Sequence, residues 1–352
     1  MAPMIWNISR PDGVLRSRLW RKLVDYAHSW EDRMARQGSS PSPRLSAWLV
    51  AAMLVMVALP AAITLQTVRA PGRLVVESAN PSPHGYTWSL LLFIVPIVVI
   101  ALWFLPRERV DVPRKAFWWT IAILTPLGWG LDFVFAHRFF EFRNTAATLS
   151  WRAPALGGGV PAEEYVFYLT GFLCVLLLYI WLDEYWMAAY NVADYRAAAQ
   201  LIPRLLRFHP ESVVVGAALI AAAVLYKKAL SPHPAGFPWY FTFLVVAALA
   251  PSASFFPAVR AFINWRAFSL TMFVILLVSL LWEATLAVPY NWWNFQEQAM
   301  IGLRIGAWAD LPVEEVCVWI AVSYATVIVF EVVKVWHASG KAAKHAFLGG
   351  GE

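Results

Sequence analysis

Eight stretches of this chain are long and apolar enough to be considered as bilayer-spanning helices, and together they occupy most of its length. A spanning helix needs about 20 predominantly apolar residues, because no water in the hydrocarbon satisfies exposed backbone groups. With 60% apolar and only 14% charged residues, the chain has no room for a large soluble catalytic domain. We therefore predict an all-α fold, a polytopic helical membrane protein. The predicted spans are residues 46–66, 86–105, 117–136, 161–182, 212–226, 238–256, 267–288 and 312–333.

One of these runs is shorter than the others. Within 212–226 the apolar core extends only from Val213 to Tyr226. This length fits a re-entrant or buried segment as well as a full span.

The distribution of basic residues predicts the orientation of the helices. With the N-terminus in the cytoplasm, 20 of the 28 Lys and Arg residues fall in cytoplasmic segments and 8 in the opposite loops. Because positive loops stay in the cytoplasm, both termini are expected there, with the chain integral to a bacterial inner membrane. The net charge of +6 then reflects orientation and not binding to nucleic acid, since no basic stretch is interleaved with exposed aromatic residues.

The first 45 residues are polar and basic, and too long and charged to be the start of a cleaved signal peptide. Leu15, Leu19 and Leu23 recur at helical spacing beside several arginines. This pattern fits an amphipathic helix on an anionic membrane surface, and equally an ordinary cytosolic helix.

An internal repeat organises the rest of the sequence. A shift of 151 residues aligns 83–186 with 234–337 without a gap, and pairs Trp88 with Trp239 and Thr120 with Thr271. Each unit holds three predicted helices, and the extra helix between them restores the orientation of the second unit. The repeats are therefore expected to be parallel about an axis along the membrane normal. The predicted segments are a cytoplasmic segment at 1–45, an additional span at 46–66, repeat one at 83–186, a linker with one membrane helix at 187–233, repeat two at 234–337 and a cytoplasmic tail at 338–352.

The densest match between the repeats pairs Pro161-Ala162-Glu163-Glu164 with Pro312-Val313-Glu314-Glu315. Proline suits the first turn of a helix, and an isolated string of this kind usually marks only a helix start with favourable dipole interactions. Here each string opens an apolar helix, and carboxyl groups at the membrane edge are costly enough to be functional candidates. We treat all four glutamates as candidate catalytic acids.

A third acid accompanies each block at the same distance. Asp132 lies 29 residues before Pro161, and Glu283 lies 29 residues before Pro312, so six carboxyl groups are expected at one membrane face. Burial and repulsion between like charges both favour the protonated form, and such groups can hold a proton at neutral pH. The alternative role for Asp132 and Glu283 is an ion pair with a neighbouring arginine, namely Arg138, Arg143 or Arg304.

Aromatic residues surround these acids in the sequence. Aromatic faces stabilise a nearby cation by roughly 0.5 to 2 kcal/mol each, although Trp and Tyr are also common at membrane interfaces for other reasons. The candidate substrate-binding residues are Trp129, Tyr165, Tyr168, Trp282, Trp293, Trp308 and Trp319.

Several motifs are missing from the sequence, and this narrows the chemistry. The seven histidines are not clustered at ligand spacing, and Cys174 and Cys317 have no metal-ligand neighbours, so no metal site is predicted. No dinucleotide-binding glycine motif follows a strand, and no Asp-rich diphosphate motif occurs. We predict no cofactor, which leaves proton chemistry on an apolar molecule.

These features together resemble the membrane-integral lycopene cyclases of the heterodimeric bacterial and fungal type. The resemblance covers about 83–337 and rests on Leu131-Asp132, on Pro161 to Phe167, and on Leu311 to Glu315. In that family the two units are often separate chains, whereas here they are fused. This sequence departs from the pattern in carrying Glu283 where such units usually have Asp, and in its additional helix at 46–66.

The resemblance implies ring closure at the ends of lycopene or a related linear carotenoid without net redox change. A protonated glutamate of the Pro-x-Glu-Glu blocks would donate a proton to a terminal double bond, and a carboxylate such as Asp132 or Glu283 would accept the ring proton. The expected partners are this lipophilic polyene, membrane lipid and other carotenoid enzymes. The sequence leaves open which glutamate donates, which ring isomer forms, and whether one or both ends react.

Two other classes of function fit part of the pattern. A proton-coupled transporter would also use parallel repeats and paired intramembrane acids, but the sequence shows no Gly- or Pro-broken helices at corresponding positions. A carotenoid-binding protein without chemistry would use the aromatic residues and leave the six acids unexplained.

The orientation predicted from the basic residues can be tested with reporter fusions. A reporter fused after residue 340 should be cytoplasmic, and one inserted near Thr148 should be external, because an odd number of spans separates them. Finding both reporters on the same side would contradict the parallel-repeat arrangement.

Overall fold

The computed structural model describes Val55 and residues 83–110, 112–192, 195–207 and 209–349. The predicted interfacial helix within 1–45 and the additional span at 46–66 lie outside these described residues. In the described part the chain is mostly helical, and seven helices are long and apolar enough to cross a membrane. They match the seven predicted spans that fall in this part, which suggests an integral membrane protein.

The helices are numbered here in chain order. The helices are α1 Gly85–Arg107, α2 Arg114–Phe139, α3 Ala162–Trp186, α4 Tyr195–Gln200, α5 Pro210–Ala229, α6 Trp239–Val259, α7 Trp265–Ala287, α8 Val313–Ser339 and α9 Ala343–Leu348. Two of them, α4 and α9, are short, and α1, α3, α6 and α7 each include a π-helical segment.

Helices α3 and α8 form the centre of the bundle. Each is 67% buried over its most apolar window, whereas the buried share of the other long helices is between 17% and 44%. Apolar side chains that the bundle leaves uncovered are compatible with contact to lipid. The two central helices are the ones that the Pro-x-Glu-Glu blocks open.

Several boundaries differ slightly from the sequence prediction. Pro161 and Pro312 stand just before α3 and α8 with φ of −54° and −64°, so the helices begin one residue later than predicted. Helix α8 continues to Ser339, where Gly340 adopts the left-handed conformation (φ 67°) that commonly ends helices. The short 212–226 run lies within a continuous helix, α5.

Six two-residue strands tie the loops together at one end of the bundle. Strand β2 pairs with β3, and β5 with β6, so that each loop folds back across the start of α3 or α8. Strand β1 pairs with β4, joining the loop after α2 to the loop after α7. The strands are β1 Phe140–Glu141, β2 Arg152–Ala153, β3 Val160–Pro161, β4 Asn294–Phe295, β5 Arg304–Ile305 and β6 Leu311–Pro312.

The elements of the two predicted units correspond closely. Helices α2 and α7 begin 151 residues apart, as do α3 and α8, and β3 and β6. The buried hydroxyls of Thr120 and Thr271 donate to Ala116 O and Ala267 O at 2.7 and 2.8 Å, which are equivalent contacts. A 3₁₀ turn occurs at Thr145–Ala147 in the first unit and at Glu297–Ala299 in the second, 152 residues on, so the turn is displaced by one residue within the second loop.

Helix α5, between the two units, is attached to the second loop by one lysine. The Lys227 side chain is fully buried, and its ammonium donates to the carbonyl oxygens of His233, Glu297 and Met300 at 3.2, 2.9 and 2.6 Å. Hydrogen bonds from a charged donor are stronger than neutral ones. This contact fixes the segment that precedes Ile301.

Replacing Lys227 by Met should destabilise the protein, because three carbonyl groups lose a charged donor. We expect the free energy of unfolding to fall by about 2 kcal/mol, measured as a lower thermal midpoint in detergent. Lys228→Met is the matched control, since Lys228 donates to two carbonyls at an exposed site. Equal midpoints for the two variants would contradict an anchoring role for Lys227.

Candidate functional site

A buried cavity of about 40 Å³ contains carboxyl groups from both units. Glu164 reaches it from the start of α3, Glu315 from the start of α8, and Glu283 from the end of α7. The two units therefore contribute to one site. The lining consists of Tyr86, Phe140, Glu164, Phe167, Tyr168, Gly171, Phe172, Tyr240, Glu283, Trp293, Glu315, Val318, Trp319 and Val322.

The first glutamate of each block binds the loop and does not line this cavity. Glu163 Oε1 accepts the backbone N–H of Leu149 at 2.7 Å and the Thr87 hydroxyl at 2.6 Å. Glu314 Oε1 accepts the backbone N–H of Ile301 in the equivalent place. The structure thus separates two adjacent glutamates that sequence reasoning had grouped together.

In the first unit, the second glutamate lies beside the acid that precedes the loop. Asp132 and Glu164 are electrostatic neighbours, and the Tyr86 hydroxyl lies next to Glu164. Asp132 is fully buried, and no donor among the described residues reaches either of its carboxyl oxygens. A buried ionised carboxylate without donors is costly, so this environment disfavours charge on Asp132.

In the second unit, the equivalent acids are also neighbours. Glu283 and Glu315 both line the cavity, and the Tyr240 hydroxyl lies beside Glu315. The Trp319 indole N–H donates to Glu283 Oε1 at 2.7 Å. Repulsion between two buried carboxylates disfavours negative charge on both groups at once.

The arginines considered as partners of Asp132 and Glu283 are not placed beside them. Arg143 pairs with Glu141, and Arg304 pairs with Glu297, both in the loops. Arg138 is exposed. Among the described residues, Asp132 and Glu283 therefore do not form the ion pairs with arginine that were the alternative role for these two acids.

Aromatic side chains make up most of the cavity wall and the layer behind it. Of the predicted substrate-binding residues, Tyr168, Trp293 and Trp319 line the cavity. Trp282 packs behind it, with its ring centroid 5.5 Å from that of Phe167 and 5.2 Å from that of Trp293. These rings face the acids with π surfaces that can stabilise positive charge.

Three of the predicted aromatic residues lie away from the cavity. The Trp129 indole N–H donates to Tyr165 O at 2.9 Å, joining α2 to α3, and the Tyr165 hydroxyl donates to Pro154 O of the loop at 2.6 Å; both hydrogen bonds are exposed. Trp308 belongs to the short turn Gly306–Trp308, also outside the lining. A role for these three in substrate binding stays a prediction.

Several lining residues were not predicted from the sequence. Tyr86 and Tyr240 lie near the starts of α1 and α6 and bring hydroxyl groups to the second glutamates. The sequence feature that could have identified these two residues is a tyrosine within the first turns of an apolar helix. Gly171 was also missed; a Cβ added there would meet no atom within 4 Å, so this part of the wall is open.

The described residues contain no group of three His, Cys, Asp or Glu placed to hold a metal ion.

No protein-family model matches this chain, and neither the curated proteins nor the solved structures contain a match. The site is therefore interpreted from its own residues.

The position of Tyr168 depends on one close approach of α2 to α3, which gives a testable contrast on α2. A Cβ at Gly128 would lie 2.7 Å from a Tyr168 ring carbon, whereas one at Gly130 would meet nothing within 4 Å. Gly128→Ala should therefore cost about 1 to 3 kcal/mol through overpacking, and Gly130→Ala should be neutral or stabilising by up to about 1 kcal/mol. Thermal midpoints in detergent measure both. A Gly128→Ala protein as stable as the Gly130→Ala protein would contradict this packing.

Proposed function

We propose that the protein is a membrane-integral carotenoid cyclase that closes ionone-type end rings on lycopene or a related linear polyene. One observation carries this proposal: Glu164 from the first unit and Glu283 and Glu315 from the second line one aromatic cavity, and Asp132 lies beside Glu164. Buried carboxyl groups in an apolar, aromatic setting suit proton transfer to and from a hydrocarbon.

The Glu283–Glu315 pair supplies the proton in this proposal. The N–H of Trp319 stabilises negative charge on Glu283, which leaves the shared proton on Glu315. Glu315 then protonates the terminal trisubstituted double bond, giving a tertiary carbocation and a Glu315 carboxylate. The first glutamates are not assigned this role because they do not line the cavity, and Oε1 of each is turned to the loop, where it accepts the Leu149 or Ile301 amide.

Ring closure and proton loss complete the reaction. The neighbouring double bond attacks the cation, forming the ring carbon–carbon bond and moving the positive charge into the ring. Glu164, on the other central helix, accepts the ring proton that leaves. One proton is gained and one is lost per ring, so the product is an isomer of the substrate.

The aromatic wall protects the cation during this sequence. Phe167, Tyr168 and Trp319 present their rings to the space between the acids. Ring faces stabilise the cation, and a dry cavity keeps water from capturing it as an alcohol. At about 40 Å³ the cavity is smaller than a carotenoid end group, so the substrate must displace parts of the wall. Gly171 offers the open side for this movement.

The finer arrangement of the chain belongs to the same proposal. The two units are parallel repeats in a bacterial inner membrane, both termini are cytoplasmic, and the acid cavity lies toward the external face. The polyene substrate dissolves in the lipid and enters between the helices, so no soluble carrier domain is needed. Contact with the enzymes that make or modify this polyene would shorten its path.

Glutamine substitutions should separate the two glutamates of each block. Glu164→Gln and Glu315→Gln remove an acid at the cavity, so conversion of lycopene in a lycopene-accumulating bacterium should fall by about 10²- to 10⁴-fold. Glu163→Gln and Glu314→Gln are the matched controls. Their amide oxygens still accept the loop N–H, so conversion should stay within about threefold of the unaltered protein. Pigment chromatography at equal expression measures this, and equal losses at both positions would refute the division of roles.

Deuterium labelling tests the chemistry itself. Purified protein given lycopene in deuterated buffer, without added nucleotide, should yield cyclic product carrying about one deuteron per ring, because the donor carboxyl exchanges with solvent. Cyclic product without label, or conversion only with a reduced nucleotide, would rule out the acid mechanism. An unchanged polyene under these conditions would favour the two rival classes, a proton-coupled transporter or a non-catalytic binding protein.

A further inference from the structure

A second buried charged cluster lies at the other end of α3 and α8, far from the acid cavity. The Lys334 ammonium is 2.7 Å from Glu331 Oε1 and 3.8 Å from Asp183 Oδ2, and the Tyr179 hydroxyl donates to Glu331 Oε1 at 2.9 Å. All three charged side chains are at most 4% exposed. Asn264, just before α7, lies near this cluster and donates to Met187 O at 3.0 Å. None of these residues reaches the proposed reaction.

The members of this cluster occupy equivalent positions of the two units. Asp183 and Lys334 are 151 residues apart, which is the spacing of the repeat, and they contact each other. Tyr179 and Phe330 are also 151 residues apart, with ring centroids 6.1 Å apart in an edge-to-face arrangement. Contact between a residue and its own equivalent is what an interface on a two-fold axis produces. The central helices therefore meet about such an axis.

This symmetry has an energetic consequence for pairing. If two copies of the first unit met in the same way, two Asp183 carboxylates would face each other without the lysine. If two copies of the second unit met, each Lys334 ammonium would keep its own Glu331 carboxylate, and Phe330 would replace the Tyr179 hydroxyl that donates to Glu331. Uncompensated like charges therefore arise only between two first units. Like charges buried together are strongly unfavourable, and such repulsion excludes wrong partners.

We propose that the Asp183–Glu331–Lys334 cluster is a pairing determinant that makes the first unit accept the second unit and reject another copy of itself. The partner of each central helix is thereby set by charge, while the remaining apolar contacts are largely interchangeable. This inference concerns assembly and does not depend on the proposed cyclase activity.

Charge reversal in the full-length chain tests the proposal. Lys334→Asp places three carboxylates in the cluster and should reduce the yield of folded monomer by at least about tenfold. Adding Asp183→Lys in the same chain restores one cation and two anions and should recover the monomer. Size-exclusion chromatography in mild detergent measures both. Failure of the double variant to recover would overturn the proposal, because complementary charge would then not decide the contact.

Exchange between two chains distinguishes a pairing determinant from an ordinary ion pair. A chain with Asp183→Lys and a differently tagged chain with Lys334→Asp are complementary only if each first unit pairs with the other chain's second unit. Co-expressed, they should co-purify as a dimer at least about fivefold more than two unaltered chains. The matched control replaces Lys334→Asp by Lys344→Asp, a charge reversal at an exposed residue of α9. Co-purification no greater than in either control would overturn the proposal.

Discussion

The free-energy cost of burying carboxyl groups governs how this helix bundle is assembled. Six acids lie buried near the ends of apolar helices, where an ionised oxygen without a donor is several kcal/mol less stable than in water. The loops offset part of this free-energy cost, because the strand pairs β2–β3 and β5–β6 fold the loops back over the starts of α3 and α8. In that position the backbone N–H groups of Leu149 and Ile301 reach Glu163 and Glu314. The shape of the loops and the charge at the helix starts therefore depend on each other.

The same constraint divides the acids between structure and chemistry. Glu163 and Glu314 each direct one oxygen to a loop N–H and hold the loops in place, whereas Glu164, Glu283 and Glu315 receive no loop donor in the described part of the chain and line the cavity. Asp132 receives no donor among the described residues, and Glu283 receives one from Trp319. A site of this kind is stable only inside a rigid frame, which α3 and α8 provide through contacts along their whole length. The buried ion cluster at their other end fixes the same two helices.

Much of this arrangement could be predicted from the sequence, and the failures have a physical pattern. Apolar length predicted the seven spans of the described part, and the 29-residue spacing predicted acids that meet. Neighbouring residues on a helix point about 100° apart, so a Glu-Glu string alone does not tell which one enters a cavity. Tyr86 and Tyr240 were missed because they differ by 154 residues and a shift of 151 pairs neither with the other. Trp129 and Tyr165 were close to the acids in sequence but face outward, since helix rotation, and not distance along the chain, decides which rings line a cavity.

The differences between the two units explain how one cavity could both give and take a proton. Two identical units around an axis would present two identical acid pairs, with no reason for one to donate and the other to accept. Here the first unit has Asp132, Tyr168 and Gly171 where the second has Glu283, Trp319 and Val322. Only the second unit carries an indole N–H directed at its pair, and only the first has an open wall beside its glutamate. The N–H of Trp319 favours charge on Glu283, which keeps the shared proton on Glu315. In the proposed cyclisation, this asymmetry would therefore set the direction of proton transfer, from Glu315 to the polyene end and from the ring to Glu164.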